Sequence, residues 1–162
     1  MKKWESKIMS EFYNYSDLEP VIRETLDNGS TVTLLPRGTS MLPLIRQGLD
    51  EVVLKSVDGP LKKYDIPFYK RKNGQFVLHR IVDVKKDGYV LCGDNQLDYE
   101  YNITDDMIIG VVCTIKRDGV QIELDNKEYI KYCKKHLLKI KIKRKTRKIR
   151  QLASSVKRRL IK

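Results

Sequence analysis

Cysteine and histidine are scarce in this chain. Cys92, Cys113 and Cys133 lie far apart along 162 residues, and no two of them form a C-x-x-C pair. Such spacing argues against a disulfide framework and against a zinc site. His79 and His136 are the only histidines, so histidine-cluster metal chemistry is not expected, and neither is an organic cofactor. Cys92 and Cys113 read as buried structural thiols. Long apolar runs are missing too. The longest, Met107 to Ile115, has the length of a strand, far from the roughly 18 residues of a membrane span. No apolar core follows the basic Met1-Lys2-Lys3, so no secretory signal is read. The expected compartment is the cytoplasm.

Acidic residues are absent from one end. Lys131 to Lys162 carries 15 lysines and arginines and no aspartate or glutamate, whereas the other residues hold 18 basic and 21 acidic side chains. The net charge of +12 therefore describes a near-neutral body with a basic tail, an asymmetry that points to a polyanionic partner. If the tail is helical, Leu138, Ile142, Ile149, Leu152, Val156 and Leu160 fall near one stripe, interrupted by Lys145. Such a helix can lie on the inner face of an anionic membrane as a peripheral anchor. Alternatively, its stripe docks on the protein's own sheet. Nucleic acid is the weaker partner, because the tail has few aromatics for stacking.

Short strands punctuated by turn dipeptides fill the middle of the chain. "SDLEPVIRETLDNG" predicts a helix capped by Ser16, with Leu18, Val21, Ile22 and Leu26 on one face. Strands are expected at Thr31–Leu35 and in "DEVVLKSV". Hairpins are expected about Asn73-Gly74, Asp87-Gly88 and Asp118-Gly119, with Pro67 restricting its strand to an edge or a bulge. The expected fold is mainly β, an antiparallel sheet or partly open barrel. It divides into an N-terminal helical segment (1–29), a β-rich domain (30–125) and a basic helical tail (126–162).

"PRGTSMLPLIRQG" places one small hydroxyl, Ser40, where an apolar run stops. A serine needs a positioned base to become a nucleophile and donors to stabilise the oxyanion it makes. Gly38 permits a sharp turn beside Thr39, the Ser40 amide is placed to serve as an oxyanion donor, and Pro43 fixes the exit. His79, in "QFVLHRIVDV", shares a strand face with Val77 and Ile81. Apolar shelter would keep its imidazole neutral and able to accept a proton. Taken singly, each has a plainer reading: a turn serine, and a core histidine with its hydrogen bonds satisfied.

"GTSMLP", about forty residues later "VLHRIV", and then "CGDNQ" stand in that order. Together they resemble the signal peptidase I family and the related self-cleaving LexA-type repressors, over about Val32 to Val112. The resemblance implies a nucleophile at Ser40 and a base at His79, in the Ser-His form of the archaeal and endoplasmic-reticulum enzymes. It also implies a structural turn at Gly93-Asp94-Asn95 and an acid soon after it. Asp98 is chosen to orient His79, with Glu100 and Asp94 as alternatives. Gly38 stands where some bacterial relatives carry an oxyanion-donating serine, so backbone N–H must serve instead. The substrate implied is a precursor peptide with small residues near the cut, added as a strand beside the sheet. The membrane anchor usual in signal peptidases is not seen. A LexA-type repressor is disfavoured by His79 and by the short stretch before the first strand. The rival reading is a catalytically inactive β-scaffold that binds membrane or nucleic acid through its tail.

Overall fold

A computed structural model describes the backbone of residues 15–160 and the side chains of residues 17–152. The order is α1 (Tyr15–Asp27), β1 (Val32–Leu34), β2 (Glu51–Lys55), β3 (Pro67–Lys70), β4 (Phe76–Leu78), β5 (Arg80–Lys85), β6 (Gly88–Cys92), β7 (Glu100–Ile103), a single 3-10 turn (Asp105–Met107), β8 (Ile108–Arg117), β9 (Val120–Glu123) and α2 (Lys127–Leu160). The protein is mainly β, with two antiparallel sheets that do not close into a barrel. Among the described residues no helix is long and apolar enough to cross a membrane.

The run read as the longest apolar stretch becomes the spine. β8 pairs with β2 along one edge, and on its other edge with β3 and then β9. β1 extends the sheet beyond β2, and β4 closes the opposite side beyond β3. The second sheet runs β5-β6-β7. Hairpins form about all three dipeptides, although at the second the central residues are Lys86 and Asp87 and Gly88 opens β6. Asp118 and Gly119 have φ of 49° and 82° between Arg117 and Val120, as a two-residue turn with both central residues left-handed requires. Pro67 opens β3, which pairs on both sides and is not an edge strand. It is tolerated because it is the first residue, and the adjoining register shift at Phe68/Tyr69 absorbs the mismatch.

α1 buries Ile22 and Leu26 in the main core with Leu54, Phe68 and Ile115. The capping role read for Ser16 lies outside the described residues, because its side chain is not among them, and Val21 is 54% exposed, not on the packed face. Gly110 in β8 is where Leu26 comes close: a Cβ there would meet the Leu26 methyl at 2.8 Å.

α2 docks by a face the apolar period does not reveal. Tyr129, Cys133, Leu137 and Ile140 are buried, whereas Leu138, Ile142, Ile149 and Leu152 are exposed. The Val156 and Leu160 side chains lie outside the described residues. The docking is polar at its centre. Arg80 and Asp94, both fully buried, form a two-pronged ion pair at 2.8 and 2.6 Å. Arg80 also donates to the Tyr129 hydroxyl and to the Tyr64 carbonyl and lies 2.9 Å from Cys133 Sγ. Tyr132 and His136 reach Asp94 from the same helix. Burial would lower the Arg80 pKa, but Asp94 outweighs it and the guanidinium is held above its ordinary value.

Removing one partner of such a pair strands a charge in the interior. Asp94→Ala is expected to cost about 3–5 kcal/mol of unfolding free energy in urea denaturation. The exposed pair Asp98–Arg147 makes the control, since Arg147→Ala should leave the urea midpoint close to the parental value. Equal effects would contradict the assigned role of the buried pair.

Candidate active site

Ser40 opens the turn that follows β1, and His79 occupies the one residue between β4 and β5. That residue is where the chain leaves the first sheet and enters the second. The sequence read "QFVLHRIVDV" as one continuous strand, but His79 itself is the switch between sheets. The alternation still holds around it. Val77 and Ile81 pack in one cluster, while Leu78 and Val82 face two others. The imidazole is therefore mounted on backbone fixed from both sides, and it is buried.

The two residues meet at one cavity of about 490 Å³, lined by Gly38, Thr39, Ser40, His79, all three residues of β4, and Asn95 and Gln96 of the Gly-Asp-Asn turn. Gly38 has φ of 93°, a conformation that disfavours a side chain and lets the chain turn into Thr39 and Ser40. Among the described residues, neither the Ser40 hydroxyl nor its N–H makes a hydrogen bond to the protein. Both groups are thus available to a substrate. Nucleophile–base hydrogen bonds are commonly long or absent before substrate binds.

The acid is Glu100, not Asp98. Glu100 Oε1 lies 2.7 Å from His79 Nδ1. A carboxylate only accepts, so Nδ1 carries the proton of this bond and Nε2 is the ring nitrogen not engaged by the acid. The Tyr69 hydroxyl sits 3.3 Å from the same ring nitrogen, and Arg71 holds the carboxylate in turn, with Nε at 2.7 Å from Oε2. Burial pushes the Glu100 carboxyl up, but hydrogen bonds from His79 and Arg71 outweigh it and hold the pKa at about 2. Asp98 points elsewhere: its side chain is 83% exposed and pairs with Arg147 on α2. The two acids share parity on an extended chain, so alternation could not separate them. Register does, because Glu100 begins β7 opposite Leu91 while Asp98 is still in the loop. Asp94 is engaged with Arg80 in the interior.

Two clamps hold the Ser40 loop. At its entrance, the Asn95 N–H donates to the Ser40 carbonyl at 2.7 Å, and Asn95 Nδ2 to the Thr39 carbonyl at 3.3 Å. Gly93 has to be small there, since a Cβ would stand 2.7 Å from the Ser40 carbonyl oxygen. At its exit stands Asp50, which the sequence reading did not single out. Fully buried, it accepts from the Arg46 N–H at 2.8 Å and from Arg117 Nε, while Arg117 also donates to the Leu44 carbonyl at 2.6 Å. Burial raises the Asp50 carboxyl, and hydrogen bonds from Arg117 and Arg46 overcome this to bring it to about 2. The signal was an acid at the head of β2 and an arginine at the end of β8, strands that pair.

Of the cysteines, Cys92 is buried and donates to nearby carbonyls, with burial pushing its thiol up to about 12, and Cys113 is half-buried. Among the described residues no group of three or more His, Cys, Asp or Glu could hold a metal ion. The chain matches no protein-family model and no curated protein sequence.

The Glu100 pKa in the folded protein lies below its ordinary 4.5. Its stabilising contribution is complete above that pH and is lost as pH falls toward about 2. Thermal melts across that window should show a falling midpoint, with a shallower fall in Glu100→Gln; superimposable pH profiles would contradict the pairing. Gly93→Ala is expected to destabilise by about 1–3 kcal/mol through the clash with Ser40, and an unchanged midpoint would show that the loop does not rest on this turn.

Proposed function

We propose that this protein is a serine endopeptidase of the signal-peptidase-like class, working through Ser40, His79 and Glu100. The observation that carries the reading is the convergence of Ser40 and His79 on one cavity, with Glu100 on Nδ1 of the imidazole. In the reaction, His79 Nε2 takes the Ser40 hydroxyl proton as Oγ attacks the peptide carbonyl. The Ser40 N–H stabilises the oxyanion, and His79 returns the proton to the leaving amine. Water, activated by the same imidazole, then hydrolyses the acyl-serine. Glu100 holds the Nδ1–H tautomer and stabilises the imidazolium, and Arg71 keeps Glu100 ionised and in place.

β4 supports the choice of a peptide as substrate. Among the described strands it ends the sheet beyond β3, and its three residues line the cavity next to His79. An extended peptide can add beside β4, with backbone hydrogen bonds giving affinity and alternate side chains entering the cavity. Phe68, Phe76 and Met41 also line the cavity, which suits short apolar side chains near the cut.

A fluorophosphonate probe should label the parent protein on Ser40. Labelling and cleavage of a mixed precursor-peptide pool should be lost in Ser40→Ala and His79→Ala. Glu100→Gln should lower the rate by about 10²–10⁴, and Asp98→Asn should leave it unchanged. A parent protein with no labelling and no cleavage would instead favour the inactive scaffold.

A further inference from the structure

We propose that α2 is a membrane-docking helix, lying on an anionic bilayer through the face turned away from the body. The inference is independent of the peptidase reading. At about 100° per residue, Leu138, Ile142, Ile149 and Leu152 point within about 40° of one direction, and Tyr129 lies about 180° from it. Tyr129, Cys133 and Ile140 are buried against the body. The four apolar residues opposite them are between 55% and 66% exposed. One face of the helix is therefore committed to the protein, and the other presents a line of large aliphatic side chains that are more than half exposed.

The charges around that line identify the occupant. Lys131, Lys134, Lys141 and Lys145 flank or interrupt the stripe, and no acid follows Glu128. Lysines beside an aliphatic line can bury their stems and keep their ammonium groups among anionic headgroups. A second copy of this helix would bring lysines against lysines. Nucleic acid would be satisfied by the charges but would leave Ile142 and Leu152 in water. An anionic bilayer uses both features at once: the headgroups take the charge and the acyl boundary takes the aliphatic side chains.

The test is co-sedimentation of the full chain with extruded vesicles of phosphatidylcholine alone, or of phosphatidylcholine with an equal part of phosphatidylglycerol. Binding is expected only to the phosphatidylglycerol vesicles. Ile142→Ser with Ile149→Ser removes apolar surface without altering charge, and should weaken binding about tenfold or more. Lys141→Glu with Lys145→Glu should do the same through charge. These positions are exposed, so helicity by circular dichroism and the melting midpoint should stay at parental values, which separates lost binding from lost folding. The proposal is overturned if the parent fails to sediment with the anionic vesicles or sediments equally with both kinds. It is also overturned if the serine variant binds like the parent while only the glutamate variant loses binding. In that last case, tighter binding to a mixed-sequence RNA oligonucleotide would assign the surface to nucleic acid.

Discussion

The buried ion pair between Arg80 and Asp94 ties together parts of the chain that otherwise have little to hold them. Arg80 is the residue after His79, so fixing its guanidinium fixes the point where the chain passes between sheets. Asp94 is the middle of the turn whose neighbours clamp the Ser40 loop: Asn95 through a hydrogen bond to the Ser40 carbonyl, Gly93 by leaving room for it. Tyr129, Tyr132, Cys133 and His136 bring the long helix onto the same pair. A fully buried charge is tolerable only with its donors and acceptors satisfied. Here satisfying them brings the backbone at His79, the Ser40 loop and the tail helix into one arrangement.

The site follows from that arrangement by ordinary economy. Both clamps on the Ser40 loop act on backbone, leaving the Ser40 hydroxyl and N–H without protein partners. The carboxylate system is separate from the Arg80–Asp94 pair. Glu100 begins β7 of the second sheet and is set by Arg71 and Tyr69 from β3 and its turn in the first, so groups from both sheets orient the imidazole. Burial and hydrogen bonding oppose each other at Glu100 and again at Asp50, and in both places the hydrogen bonds from charged donors win.

Much of this was legible in the sequence where the cause is local. Turn dipeptides at Asn73-Gly74, Asp87-Gly88 and Asp118-Gly119 need positive φ and announce themselves. "MIIGVVCTI" could be nothing shorter than a buried strand. Ser40 and His79, which line one cavity, were singled out because glycine, proline and apolar neighbours mark their settings. What escaped depended on register or on partners distant in the chain. Asp98 and Glu100 cannot be told apart by parity. Asp50 gains its meaning only when β2 pairs with β8. Pro67 looked like an edge marker because a missing N–H matters less at the first residue of a strand than in its interior. The helix face was misjudged for a different reason: it docks through a tyrosine, a cysteine and a histidine that bond to a buried ion pair. A search for an aliphatic stripe finds the opposite, exposed side.

The proposed function rests on Ser40 attacking a carbonyl carbon while His79 takes its proton. A crystal structure of the protein soaked with a peptide aldehyde examines that directly, because the adduct imitates the tetrahedral intermediate. The expected result is a hemiacetal on Ser40 Oγ, its oxygen accepting from the Ser40 N–H, His79 Nε2 within hydrogen-bond reach, and the peptide running antiparallel or parallel alongside β4. An aldehyde bound at another residue, or an unmodified Ser40 beside a bound peptide, would contradict the assignment of Ser40 as nucleophile.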